Sequence, residues 1–599
     1  MQRGPVLTTG QDPQGSGPTA YAHTSDTPVR IQPRSFWLDG SVVVGTRAVV
    51  TTSELADVLP AEAGTWELPQ LASWWFRSAR DVGALHILDE AQGWAACLPD
   101  PLGGALAFRL ETPEFAAIST DLAALREQAA QRGVELKKST LFQAERMLFG
   151  NGGLTATSYD SVETIDPFEY LSVRDGSVHR HRYQDLEALQ KLSVPELFEA
   201  LWQDVVQSTR AVTGSSHDQH IAHLTGGFDS RLLLAALMHE GLQDEVLFFC
   251  SGPTGSTDRV VADGLTRSLG LRRSSGGGLS PATASSTAER LLGPLFSSAG
   301  LSGTGPLGRE REVSVTAFGG GYGGLLRTTY GNRQITSDGQ HLDPDLLCKS
   351  YIPADRASIR PAAIEELSGR LEGTMSDLTT RFDLDFGGDA YYAYRRNRYH
   401  FGLGSMAWSR VGARFDPLYS VAGFFLSGRI TQMARQSNVV GHDLMEFLHR
   451  DLLRYPFDYD RFSDDLLTLR KRPAPLSFPD ERSIAFESSL TPSSDESSDL
   501  VELLETLGLR EEHVPTPEER QKHLERANKI GVNYWHVASL APAQKLLASA
   551  LDRVGDAPHV EAFFDLDRIR ELTQHPTLPR ASVRQVYSAL GSLVWLGMG

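Results

Sequence analysis

The chain has 599 residues, of which 41% are apolar, 9% aromatic and 22% charged, which is ordinary globular composition with material for a large core. Lys and Arg number 57 against 75 Asp and Glu, a formal net charge of −18, so bulk electrostatics disfavour nucleic acid as the main partner. No apolar run approaches the roughly 20 residues that span a bilayer, and the N-terminus MQRGPVLTTGQDPQGSGPT lacks the apolar stretch of a secretory signal. Three cysteines, Cys97, Cys250 and Cys348, show no CxxC spacing, which argues against a disulfide framework and a thiolate zinc site. A soluble, cytoplasmic protein is expected, with no membrane partner.

Residues 1–30 are rich in Gly, Pro, Ser and Thr and read as a disordered leader. From Ile31 to about Asp185, short β-like runs (SVVVGTRAVV, GALHIL, GWAACL, GALAFRL, FAAIST) separated by Gly, Pro and Asp predict a sheet-rich domain over 31–185. The texture changes near Leu186. Helical VPELFEALWQDVVQSTRAV is followed by strand-like IAHLT, helical RLLLAALMHEG, strand-like EVLFFCSG and helical TDRVVADGLTRSLG. That alternation predicts a doubly wound parallel sheet in a second domain over 186–599. Polar stretches after Leu271 and Ala485 read as surface loops, and the chain from Arg356 onward is mostly helical in pattern.

The segment that carries chemistry is IAHLTGGFDSRLLLAAL, Ile221 to Leu237. An apolar strand ending at Leu224 runs into Thr225, Gly226 and Gly227, and a helix begins near Asp229. Paired glycines turn tightly and leave backbone N–H groups unobstructed. Those groups, the helix N-terminus and the hydroxyls of Thr225 and Ser230 can surround a phosphate or pyrophosphate. Asp229 would repel a bare phosphate there, and makes sense as a ligand to Mg2+ shared with the phosphates. The competing reading is an ordinary strand–turn–helix with Asp229 and Ser230 as capping residues.

The whole string resembles the SGGxDS pyrophosphate loop of the ATP pyrophosphatase superfamily, with Thr225 in place of the first Ser. In that superfamily the next strand meets the adenine at its end, which the resemblance assigns to the region of Cys250. DPLGGALAFRLETPEFAAISTDLAAL (Asp100 to Leu125) resembles a passage of the glutaminase domain of asparagine synthetases, as does the GNGGLTATSYDSVETIDPFEYLSVRDG segment further on. The chain therefore resembles the asparagine synthetase-like family, whose branches include β-lactam synthetases and lasso-peptide cyclases, from about Arg34 to Arg472. The resemblance implies an α/β fold: an N-terminal glutaminase-like (Ntn-type) β-rich sandwich, then a doubly wound parallel-sheet ATP pyrophosphatase domain with helical additions.

Two departures bear on activity. Gln2 stands where the family's nucleophilic cysteine would follow Met1, so glutamine hydrolysis is not expected. The family's SGEGADE segment corresponds to VTAFGGGYGGLLR, which keeps glycines, Gly319 and Gly320 among them, but has no acidic residue. Tyr322 is the protic side chain of that run. By analogy with β-lactam synthetases it is a candidate base, against the alternative that it simply packs. In LLTLRKRPAP, Lys471 is the candidate for the family's charge-neutralising lysine, against the alternative of a solvated basic triplet. YYAYRRNRYHFG, Tyr391 to Gly402, is expected to pack or to line an anionic substrate pocket.

The resemblance thus implies an ATP-dependent ligase without glutaminase activity, making amide bonds for a specialised metabolite or modified peptide. It adenylates a small-molecule or peptide carboxylate and passes the acyl group to an amine. ATP and Mg2+ are the implied cofactors, and a homodimer or a partner biosynthetic protein is a possible assembly. The rival readings are a non-catalytic scaffold or partner subunit of the same family, and a tRNA-modifying pyrophosphate-loop enzyme.

Overall fold

The computed structural model describes residues 3–11, 18–24, 26–113, 115–250, 255–274, 287–303, 305, 314–329, 358–382, 387–471, 473–479, 484–487, 516–555 and 557–597. Gln2, Cys348, Arg472 and most of the two polar stretches lie outside the described residues. The fold is mixed α/β, with antiparallel sheets in the N-terminal part and a parallel sheet with helices afterwards.

In the N-terminal part a five-stranded sheet has the order Glu163–Thr164, Phe108–Glu111, Ala116–Ser119, Val6–Gln11, Pro18–His23. A six-stranded sheet has the order Ser177–Arg182, Glu169–Arg174, Trp94–Pro99, Gly83–Asp89, Arg34–Gly40, Val29–Ile31. The strand pairings within both sheets are antiparallel. The two sheets lie face to face, with Leu7, Ala116 and Ile118 of one meeting a core that includes Leu85, Ile87 and Ala96 of the other. Helices Leu122–Gln131 and Thr140–Phe149 cover the outer face of the five-stranded sheet through a second core.

One expectation fails here. Residues 1–30 were predicted to be a disordered leader, yet Val6–Gln11 is an interior strand of the five-stranded sheet, paired on one side with Ala116–Ser119 and on the other with Pro18–His23. The alternation explains it: Val6 belongs to the core under the helices and Leu7 to the core between the sheets. Two apolar residues among threonines and glycines are too short a pattern to read locally, and the strand is specified by the partners it finds on both faces.

The six-stranded sheet of the later part is parallel, in the order Ala413–Phe415, Val315–Phe318, Gln219–His223, Val246–Phe249, Arg273–Ser274, Phe486–Glu487. After Gln219–His223 the chain builds outward on one side through Val246–Phe249 and Arg273–Ser274. It then returns to the other side with Val315–Phe318. The crevice between Gln219–His223 and Val315–Phe318 is therefore the point where the winding reverses, the place where open α/β sheets bind ligands. The C-terminal helices Leu540–Val554 and Arg580–Gly597 pack together and against Thr140–Phe149, joining the second core. No described helix is long and apolar enough to cross a membrane.

If the first strand is structural, Leu7→Ala, at a fully buried position, should cost about 2–5 kcal/mol of unfolding free energy. Unchanged urea and thermal unfolding profiles would mean that the segment is dispensable.

Candidate functional site

The strand Gln219–His223 continues to Leu224, fully buried, whose N–H donates to the Phe249 carbonyl at 2.8 Å. The chain then turns through Thr225, Gly226 and Gly227 into helix Phe228–His239. Within the turn the Thr225 N–H donates to Ser230 Oγ (3.1 Å), the Gly227 N–H to Thr225 Oγ1 (3.0 Å) and the Gly226 N–H to Asp258 Oδ1 (3.1 Å). No side chain caps the helix itself. Its first-turn residues Phe228, Asp229 and Ser230 line a cleft of about 380 Å³ at the strand ends, within the size range of small-molecule sites. One turn further on, buried Arg231 donates to the carbonyls of Tyr455 (2.8 Å) and Pro456 (2.6 Å). This holds the following segment so that Asp458 and Arg461 reach the turn, with the Asp458 N–H on the Gly226 carbonyl at 3.1 Å.

The facing wall comes from Val315–Phe318 and the glycine run after it. Gly319, Gly320 and Gly321 line the cleft. A Cβ at Gly319 would lie 2.1 Å from Asp416 Oδ1, and one at Gly323 would lie 2.7 Å from Asp229 Oδ1. Carboxylates thus crowd two positions of the run, and at Gly321 a Cβ would lie 2.2 Å from the Phe401 ring. Beyond it, His223, Phe249, Phe401 and Trp408 form an aromatic end to the cleft, and Arg414 and Arg461 bring two guanidinium groups. His223 stacks on Phe249 at 4.7 Å between ring centroids. Burial lowers its pKa, so the imidazole is neutral at neutral pH.

The structure thus brings Thr225, Gly227, Asp229, Ser230, Gly319 and Gly320 together around one cleft. Leu224 and Gly226 support the turn without lining it. Cys250 is buried at the end of its strand, off the cleft lining, and burial pushes its thiol pKa up. Lys471 sits exposed in the turn after helix Asp464–Leu469 and is not among the residues that line the cleft. Its neighbour Arg470 is engaged with Asp443 at 2.6 Å. The cations at the cleft are arginines from separate chain segments, and no local motif announces them.

Tyr322 corrects the candidate-base assignment. It is 1% exposed, packs on Tyr419 at 4.9 Å and lies against Gly104 of the N-terminal part, away from the cleft lining. Burial, then Asp100, Asp416 and Asp81, push its hydroxyl pKa well above the ordinary value, so it has no means of accepting a proton from an amine. The Tyr391–Gly402 segment also packs between the two parts. Arg398, 2% exposed, donates to the carbonyls of Gly103 and Ile165, both at 2.7 Å, while Phe401 alone of this segment reaches the cleft. In the N-terminal part, buried Cys97 lies opposite His86 in the sheet. Burial raises the thiol's pKa and lowers that of the imidazole to about 4, so this pair is not an activated nucleophile.

The donor set does not fit the implied magnesium ion. Among the described residues Asp229 is the sole carboxylate lining the cleft, and its two oxygens are 3.1 and 3.3 Å from Arg327 Nη2. Burial opposes the charge on Arg327, but Asp229 outweighs it and its pKa is raised.

No protein-family profile matches the chain, and no curated protein matches it. Among solved structures, glutamine phosphoribosylpyrophosphate amidotransferase from B. subtilis, complexed with ADP and GMP, is similar over 37% of this chain and 55% of that one, at 10% identity and a TM-score of 0.18. The allosteric regulatory enzyme of purine biosynthesis is similar over 52% of this chain and 76% of that one, at 9% identity and a TM-score of 0.18. The chain thus spans about half of the first of these structures, and likeness at this level carries no argument about its chemistry.

With no hydrogen-bond partner for the Tyr322 hydroxyl among the described residues, Tyr322→Phe should change stability by less than about 1 kcal/mol and leave any ligase activity intact. Loss of product formation with adenylation retained would restore Tyr322 as the base.

Proposed function

We propose that the chain is an ATP-dependent ligase that adenylates a carboxylate and transfers the acyl group to an amine. On this reading the antiparallel sandwich is a glutaminase-type domain without its nucleophile, and the parallel sheet is an ATP pyrophosphatase domain. The observation that carries the reading is the position of the glycine turn: it opens an uncapped helix at the carboxyl end of the strand where the sheet's winding reverses. The resemblance of Leu224 to Ser230 to a pyrophosphate loop falls on that turn.

In the first step a substrate carboxylate oxygen attacks the α-phosphorus of ATP. The bond to the bridging oxygen breaks and pyrophosphate departs with its charge. The first turn of helix Phe228–His239, the Thr225 and Ser230 hydroxyls, Arg414 and Arg461 hold that charge. The helix turn and the hydroxyls are fixed in place before the charge develops, and Arg461 shares its guanidinium between the pyrophosphate and Asp458. The aromatic end, with His223 on Phe249, takes the adenine by stacking. In the second step the amine lone pair attacks the acyl carbon and AMP leaves. The amine proton passes to solvent, since His223 is taken up with the adenine. The acid and amine are small molecules or a peptide, and glutamine is not the nitrogen donor on this reading, since Cys97, the cysteine of the N-terminal part, is buried.

A second reading, a nucleotide-binding scaffold without turnover, is favoured by the burial of Tyr322 and the distance of Lys471 from the lining. ATP–pyrophosphate exchange over a panel of carboxylates separates the two, because the ligase exchanges label with its own acid and the scaffold with none. Arg414→Ala and Arg461→Ala should each weaken ATP binding by about 10- to 100-fold, the worth of a charge-assisted contact of roughly 1.5–3 kcal/mol. Binding unaffected by both substitutions would remove the phosphates from this end of the cleft. Glutamate release should stay at background when glutamine is supplied during turnover, and stoichiometric glutamate would contradict the assignment of the N-terminal part.

A further inference from the structure

We propose that Arg327 takes the place of a divalent cation, so that the cleft accepts a nucleotide's polyphosphate without magnesium. This deepens the nucleotide reading above and rests on it.

A carboxylate beside a phosphate site is repulsive unless a cation stands between them or behind it. Enzymes that hold magnesium at phosphates do so through one or two carboxylates together with the phosphates themselves. Here Asp229 lines the cleft and both its oxygens already face one nitrogen of Arg327, at 3.1 and 3.3 Å. The glycine at 323 permits this arrangement, since a Cβ there would stand 2.7 Å from Asp229 Oδ1. Arg327 itself lies behind the carboxylate, in a neighbouring pocket with Thr329, Asp389 and Tyr392. Asp229 and Arg327 thus form a neutral unit, and the reason for expecting a metal, the bare negative charge of Asp229, is gone. A divalent ion on the same two oxygens would share them with a fixed guanidinium and be repelled by it.

The donors for the phosphates are guanidinium groups on either flank, Arg461, itself paired with Asp458 at 2.7 Å, and Arg414, whose Nε is 3.7 Å from Asp416. The Nη2 atom of Arg414 lies 2.9 Å from where a Cβ of Gly319 would be, and that of Arg461 lies 3.4 Å from where a Cβ of Gly227 would be. Both glycines line the cleft, so the two guanidinium groups bracket the space between the strand ends. Planar guanidinium forks match phosphate oxygens directly. Three arginines drawn from distant parts of the chain therefore stand where a metal and a lysine were expected.

Isothermal calorimetry with α,β-methylene-ATP and with pyrophosphate, each with excess MgCl2 and with EDTA, tests this without any turnover. The native protein should bind with dissociation constants that agree within about 3-fold in the two buffers. Arg327→Gln exposes the Asp229 charge and should weaken binding in EDTA by about 10-fold or more, with MgCl2 restoring it. Asp229→Asn, a conservative change on a side chain 28% exposed, keeps the fold under test if Arg327→Gln is poorly behaved. It should bind at least as tightly as the native protein in both buffers. Native binding that falls more than about 10-fold in EDTA, or magnesium-supported binding lost in Asp229→Asn, would overturn the inference and leave the nucleotide reading standing. Absence of binding in both buffers would overturn the nucleotide reading and this inference together.

Discussion

The cleft depends on one buried carboxylate, Asp416. It is fully buried and accepts from the Gly321 N–H at 3.1 Å and from Ser405 Oγ at 2.7 Å, while its own N–H donates to Asp81 Oδ2 at 2.5 Å. Those three bonds join the glycine run, helix Leu403–Ser409 and the N-terminal part at one residue. Burying a carboxylate is costly unless its lone pairs are used, and here the donors that use them build the wall of the cleft. The neighbouring Asp81 shows the strain of the arrangement. It sits at a φ of 77°, and burial, then Asp416, push its carboxyl pKa well above the ordinary range.

The same seam continues through Tyr419, whose hydroxyl donates to Asp100 Oδ1 at 2.8 Å and accepts from the Leu102 N–H at 2.9 Å, and through Arg410, whose Nη1 is 3.2 Å from Asp121. The N-terminal part therefore has a physical task. It supplies the groups that satisfy the buried polar side chains behind the glycine run. Removing it would leave the Tyr419 hydroxyl and the Arg410 guanidinium without those partners and the Asp416 N–H without its acceptor in the core.

Much of the architecture was legible in local pattern. The β-like runs before Asp185 are strands, and the alternating segments after Leu186 form the parallel sheet, because hydrophobic period and turn residues act over short stretches. The glycine turn was legible for the same reason. The first strand was not, since Val6 and Leu7 are specified by partners more than a hundred residues away. Arg327, Arg414 and Arg461 were equally hidden, because their roles come from the fold's convergence and not from neighbours in the chain. His223 had a visible signal, its place at the end of the strand that leads into the turn. Tyr322 misled because its isolation among glycines looked like selection for a side chain. The glycines answer to Asp416 and Asp229, and the tyrosine fills the space behind them.

On the proposed function, phosphates lie on the first turn of helix Phe228–His239. A crystal structure of the protein with a non-hydrolysable ATP analogue tests this most directly. Phosphate density is expected against the backbone of Phe228 to Ser230, bracketed by Arg414 and Arg461, with the base at His223 and Phe249. Density elsewhere, or an unchanged cleft in crystals grown under conditions that saturate binding in solution, would contradict it.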